Sequence, residues 1–249
     1  MIASEHLFTP QARIAVLVPS ANPTIEPELR FLLPDQIGLH VARLPVMPGT
    51  TLDERNLAYT GQYAEGFAGF GALALSAGIV GLTGPSYRLL PEGDMALCES
   101  LTDAAGYPVV TASLAILHAL EALGAGRIAL VSPYPEWLTE KAAAFWRKAG
   151  AEVVQVVTIS EEFRAYALTT DEVAGALSRV KREGCDAVVM SGTGMLTVPA
   201  CLRMSGDKNL PFLSSNLCAA WWLLHRLDIA PDENLARCTP QLAALLSAR

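Results

Sequence analysis

The sequence predicts an α/β protein of two pseudo-symmetric lobes, each a four-stranded parallel sheet flanked by helices, with a ligand cleft between them. Three observations predict it. The first is an internal repeat: Arg13-Ile14-Ala15-Val16-Leu17-Val18-Pro19 returns as Arg127-Ile128-Ala129-Leu130-Val131-Ser132-Pro133. Likewise, Gly78-Ile79-Val80-Gly81-Leu82-Thr83-Gly84 returns as Asp186-Ala187-Val188-Val189-Met190-Ser191-Gly192, and Pro108-Val109-Val110-Thr111-Ala112-Ser113 as Pro211-Phe212-Leu213-Ser214-Ser215-Asn216. Each match lies slightly closer to its partner than the one before, as in two copies of one unit with shorter loops in the second. A period this long is a duplicated domain, not a solenoid. Second, short runs rich in Val and Ile alternate with longer helical patterns, which implies parallel strands joined by right-handed crossovers. Third, 51% of residues are apolar and only 17% charged, the balance of sheets covered on both faces.

In chain order, strands are expected near 13–19, 37–44, 78–83 and 108–112 in the first copy, and near 127–132, 152–159, 185–190 and 210–214 in the second. Helical patterns lie between them at 54–75, 91–105, 114–124, 138–149, 171–183 and 216–227. Ser113 and Thr170 fall where N-caps are expected; Gly106, Gly124, Gly150 and Gly184 fall where helices should stop. The first lobe is expected over residues 1–113, completed by 217–249, and the second over 114–216.

Several function classes are excluded. The net charge is −7 with no basic run, which argues against a nucleic-acid partner because phosphate binding needs clustered Lys or Arg. No apolar run reaches the roughly 18 residues of a membrane span. Met1 to Gln11 lacks the basic start and apolar stretch of a signal peptide. Cys98, Cys185, Cys201, Cys218 and Cys238 form no Cys-x-x-Cys pair and read as free thiols in a reducing cytoplasm. His6, His40, His118 and His225 show no metal spacing. His118 and His225, at matching places in the two copies, read as packing or surface residues, and Trp221-Trp222 as core or a subunit contact. Gly192-Thr193-Gly194 is too short for a dinucleotide fingerprint, and there is no Walker loop.

In such sheets ligands bind beyond the carboxyl ends of the strands. Those places hold Pro19-Ser20-Ala21-Asn22, Thr83-Gly84-Pro85-Ser86-Tyr87 and Thr111-Ala112-Ser113 in the first copy. In the second they hold Pro133-Tyr134, Ser191-Gly192-Thr193-Gly194 and Ser214-Ser215-Asn216. These are hydroxyls, amides and glycines without Lys, Arg or His. Hydroxyls and free N–H groups at helix N-termini hold an anion without a charged side chain, and a small carboxylate fits. Taken singly, each residue also serves as a helix cap.

These loops, in this order, carry a resemblance. Pro19-Ser20-Ala21-Asn22-Pro23-Thr24-Ile25-Glu26 resembles the Pro-Ser-x-Asn-x-Thr-x-Glu stretch of maleate isomerases. Ile128 to Tyr134 resembles the segment that presents their substrate-binding tyrosine. Thr83-Gly84-Pro85-Ser86 resembles the Gly-Thr-Ser turn of arylmalonate decarboxylases, and Ser191 to Thr197 their Ser-Cys-Gly-Gly-Leu-Leu-Thr turn. The chain thus resembles the aspartate/glutamate racemase superfamily, in its maleate isomerase and arylmalonate decarboxylase branch, over about residues 12–229. The resemblance implies chemistry without metal or organic cofactor, on a pair of cysteines facing each other across the substrate or on the second alone.

Carried over, the first thiol position falls at Gly84, with Thr83 beside it, and the second at Gly192 or Thr193. None is cysteine. Of the five thiols, Cys218 alone lies near the matched loops. The binding features remain: Ser20, Asn22, Pro85, Ser86, Tyr134, Ser191 and Asn216. A loop that often carries an Asn for a second carboxylate reads Ser160-Glu161-Glu162-Phe163-Arg164 here. Its acidic pair would repel a dicarboxylate unless Arg164 turns inward. Two readings follow. One is an isomerase- or decarboxylase-like enzyme, its catalytic groups (Thr83, Gly84, Gly192, Thr193) not thiols. The other is a catalytically silent member that binds a small acid as a sensor or partner subunit. Expected partners are a small carboxylate and other copies of the chain, as a dimer or higher homo-oligomer.

Overall fold

Eight strands form two parallel sheets of one design in the computed structural model, which describes residues 9–204 and 210–247; His6 lies outside these residues. The first sheet holds β1 (Ala12–Val18), β2 (Ile37–Arg43), β3 (Ala77–Val80) and β4 (Val109–Thr111) in the order β2-β1-β3-β4. The second holds β5 (Arg127–Ser132), β6 (Glu152–Thr158), β7 (Ala187–Met190) and β8 (Phe212–Ser214) in the order β6-β5-β7-β8. The fold class read from the sequence is the one observed.

The register refines the repeat. Ile14 pairs with Ala77 in the first sheet, and Ile128 with Ala187 in the second. The Gly81 N–H donates to the Leu17 carbonyl as the Ser191 N–H does to Val131. Gly81 therefore corresponds to Ser191, and Thr83 to Thr193. The sequence match of Thr83 with Ser191 is two residues out. A slip of two keeps every side chain on its own face of a strand, so apolar alternation does not register it. The outer matches stand: Thr111 and Ser214 close their strands and accept from the third backbone N–H beyond, Leu114 and Leu217.

Burial sorts β1 by parity. Ile14, Val16 and Val18 enter a large core that also takes β5, β7 and their helices, while Ala15 and Leu17 enter a smaller one under residues 59–67. Each such aliphatic chain contributes about 1.5–3 kcal/mol of transfer free energy. The helices are α1 (Ile25–Leu32), α2 (Leu52–Thr60), α3 (Tyr63–Ala68), α4 (Gly84–Ala105), α5 (Ala112–Leu123) and α6 (Glu136–Lys148), then α7 (Thr170–Ser178), α8 (Thr197–Arg203), α9 (Ser215–Leu227), α10 (Glu233–Cys238) and α11 (Pro240–Ser247). The helix expected over 54–75 is two short ones, α2 and α3. The one expected over 91–105 begins earlier, at Gly84, and bends at Leu90 (φ 61), where the following Pro91 disfavours the helical conformation. Helix α7 stops at Ser178, short of the expected 183. The caps of α5 and α7 are Thr111 and Thr169 rather than Ser113 and Thr170. Helices α1, α8, α10 and α11 were not expected; all are of eight residues or fewer, too short for a clear period. Helix α5 packs on α9, α4 on α6, and α9 also on α1 and β3, so the lobes share one interior.

Candidate active site

A cavity of about 540 Å³ opens beyond the carboxyl ends of the strands, between the lobes. Its floor is Pro19, Ser20 and Ala21 after β1, Leu82 to Pro85 after β3, Tyr134 after β5, and Thr193 and Gly194 after β7. One wall is Val46, Met47 and the α2 residues Leu52, Arg55, Asn56 and Tyr59; the other is Phe163 to Ala167. Of the sequence-predicted site residues, Ser20, Thr83, Gly84, Pro85, Tyr134 and Thr193 line this space.

The central contact spans the lobes. The Thr83 and Tyr134 hydroxyls lie 2.6 Å apart, at the N-terminus of the long helix α4. The first turn of a helix leaves its N–H groups unpaired and carries a partial positive charge. Pro85 has no N–H, so Gly84 and Ser86 are the donors of that turn. Tyr134 stacks on Phe163 (centroids 5.9 Å, planes 9° apart), and Phe163 meets Tyr166 edge-on at 5.6 Å. Burial first, and the nearby Tyr87 second, push the Tyr134 phenol well above the ordinary tyrosine range. It is a neutral donor.

The other predicted residues lie behind the lining and hold it. The Asn22 amide donates to the Thr193 hydroxyl (2.9 Å), which itself donates to the Gly81 carbonyl (2.9 Å). The Asn22 carbonyl oxygen accepts from the N–H groups of Thr24 and Ile25. Asn22 thus joins α1 to Thr193 from behind the lining. Ser191 bonds to the Tyr87 hydroxyl at 2.5 Å, across the lobes. Ser86 is buried beside Asp94, whose carboxyl burial raises to about 6. Asn216 donates to Glu28 (2.7 Å) and to the Thr193 carbonyl (3.1 Å). Gly192 has φ 110 and donates its N–H to Ser215. A Cβ there would lie 2.9 Å from Pro133 Cγ, and one on Gly84 2.8 Å from the Asn56 amide nitrogen.

Among the described residues, no cysteine, histidine or carboxylate lines the cavity. Cys218 and Cys201 are buried in α9 and α8, and burial pushes both thiols far up. Two cations line it from outside those strand-end loops, Arg55 and Arg164. Arg164 pairs with Glu172 at 2.9 Å, while Glu161 and Glu162 stay exposed outside. Both walls follow the edge strands β2 and β6. The candidate residues lie in loops that follow β1, β3, β5, β7 and β8, so the lining residues of α2 were not among them. The right-handed crossover after β2, with Asn56 and Tyr59 one helical turn apart, was the available signal.

Residues 11–237 match the family model described as arylmalonate decarboxylase. The chain belongs to the arylmalonate decarboxylase family. A family relative, the maleate isomerase of Pseudomonas putida, is 25% identical over 250 residues, covering 94% of this chain and 97% of that one. The crystal structure of a maleate isomerase from Pseudomonas putida S16 with maleate has a TM-score of 0.82 at 20% identity, covering 91% of this chain and 98% of the other. A crystal structure of arylmalonate decarboxylase gives 0.70 at 21% identity, with 86% and 92% covered. The two-lobed fold is common to all three, and the family's named members are enzymes. Among the described residues no helix of this member is long and apolar enough to cross a membrane.

Proposed function

We propose that the cavity is the active site of a cofactor-independent enzyme that isomerises or decarboxylates a small carboxylic acid with groups other than cysteine. The observation that carries the reading is the Thr83–Tyr134 hydroxyl pair, 2.6 Å apart at the N-terminus of α4, in a cavity that no thiol lines. A carboxylate oxygen set against this pair accepts from the Tyr134 phenol and from the Gly84 and Ser86 N–H groups. When a second carboxylate on the same carbon leaves as CO₂, the electron pair of the broken C–C bond passes from the α-carbon onto the retained carboxylate's oxygen, and the α-carbon then takes a proton from water. Donors already aimed there stabilise the change most, because they need not reorganise. Thr193, fixed by Asn22, and Ser20 face the same space from the other side.

The resemblance places the family's thiols at Gly84 and at Gly192 or Thr193. Two facts support reading both thiols as lost here. A side chain at Gly84 would displace Asn56, and Gly192 holds a positive φ that side chains rarely adopt. Helix α9 packs on β3 and α1, which supports assigning residues 217–249 to the first lobe.

A second reading, binding without turnover, is favoured by the absence of any histidine, carboxylate or thiol among the lining residues. The test is to incubate the protein with phenylmalonate and with maleate, and with phenylacetate in deuterated buffer. Release of CO₂, formation of fumarate or exchange of the α-proton supports the enzyme. Binding of these acids with none of the three supports the silent member.

A further inference from the structure

Arg55 stands in the α2 wall half-buried, with no ion pair and no side-chain hydrogen bond among the described residues. Its neighbours explain why. Asp53 is taken by Arg88, and Glu54 accepts from the Thr51 N–H and hydroxyl in a capping box. Arg43, which holds the Ser20 carbonyl, pairs with Glu26, and Arg164 with Glu172. Among the described residues the lining contributes no carboxylate of its own. Among the described residues Arg55 is therefore the lining cation left without a counter-charge.

A second observation points the same way. Asn56, the next residue, is 5% exposed and lines the cavity, yet its amide nitrogen has no partner. A buried amide donor left unpaired costs about 1–3 kcal/mol unless something else pairs it. Asn56 touches the Gly84 turn, and the Arg55 charge acts on the Tyr166 hydroxyl. The aromatic wall Tyr134–Phe163–Tyr166 thus runs from the hydroxyl pair at one end to the guanidinium at the other.

We propose that Arg55, with the Asn56 amide beside it, is a specificity-determining subsite for a second, distal carboxylate. It receives an acid whose apolar body lies along Tyr134, Phe163 and Tyr166 and whose first carboxylate rests on Thr83, Tyr134 and the α4 N-terminus. This rests on reading the cavity as an acid-binding site. A guanidinium fork matches a carboxylate in two parallel hydrogen bonds, which a lysine cannot reproduce.

The test is calorimetric titration of wild type, Arg55→Gln and Arg55→Lys with phenylacetate and with 4-carboxyphenylacetate, which differ only in the distal carboxylate. Wild type should prefer the diacid by roughly tenfold or more. Arg55→Gln should lose that preference and keep its affinity for phenylacetate, and Arg55→Lys should keep part of it. Equal binding of the two acids to wild type, or an undiminished preference in Arg55→Gln, would overturn the subsite and leave the acid-site reading standing. If Arg55→Gln does not fold, Arg55→Lys decides, and an undiminished preference there overturns the subsite. If wild type binds neither acid, the acid-site reading falls and the subsite with it.

Discussion

Glu28 of α1 accepts a hydrogen bond from the Asn216 amide of α9 at 2.7 Å, joining the first turns of helices that follow β1 and β8. It also accepts from the Thr197 hydroxyl (2.8 Å) and the Val198 N–H (2.7 Å). Three donors favour the charged form, but burial outweighs them and raises the carboxyl from 4.5 to about 7. Between about pH 4.5 and 7 the folded protein holds a proton that the unfolded chain has released. This contribution to stability is fully present below the unfolded value and is lost as pH rises through about 7. It amounts to a few kcal/mol at most. Asp94, raised to about 6 by burial, has the same sign. Urea unfolding from pH 4.5 to 8 should show stability falling over this range, with a shallower fall for Glu28→Gln; an equal slope in the two proteins would refute it.

Tyr134→Phe should weaken phenylacetate binding by roughly 1.5–3 kcal/mol, the value of a hydrogen bond to a charged group. The ring keeps its stacking on Phe163, so the stability loss should stay near the ~1 kcal/mol of the bond to Thr83. Calorimetry and thermal unfolding measure the two. A large stability loss with unchanged affinity would make Tyr134 a core residue.

Replacing a helical glycine by alanine ordinarily stabilises by about 1 kcal/mol. Gly84→Ala should do the opposite, because the new Cβ would lie 2.8 Å from the Asn56 amide nitrogen. The cost should shrink in the Asn56→Ala background, and a double-mutant cycle by urea unfolding isolates the coupling. Additive effects would show that the contact relaxes freely.

Thiol reagents should leave phenylacetate affinity unchanged. Cys185 is the least buried thiol and stands just before β7, at the end of the strand opposite the cavity. Mass spectrometry should find the first alkylation there. Loss of binding at one equivalent would place a reactive thiol in the site.

The fold was legible because two independent periods agreed: apolar runs of strand length, and their return later in the chain. Strand positions followed closely, since β1, β3, β5 and β7 are buried on both faces and read as unbroken apolar runs. Register was less legible, as the two-residue slip at Gly81 and Ser191 shows, because alternation has a period of two. The floor of the site was legible for Ser20, Thr83 and Tyr134, which directly follow inner strands. Which polar residue faces the cavity and which backs it was not. Asn22 and Thr193 both sit in polar strand-end loops, and only the third dimension aims Thr193 inward and spends Asn22 on holding it. Arg55 was missed because α2 is short, polar and nearly unpatterned, so its placement depends on packing against α4 rather than on local sequence.

The shared interior has a mechanical consequence. Thr24 donates to the Gly194 carbonyl, Asn22 to Thr193, Tyr87 meets Ser191, and Glu28 meets Asn216. With the Thr83–Tyr134 pair and the Thr193 bond to Gly81, these contacts and one apolar mass fasten the two halves to each other. Val46 and Met47 on one side and Phe163 to Ala167 on the other, beyond the edge strands, border the cavity. The cavity's opening is thus bordered by segments a few residues wide, set in a frame bonded across both lobes.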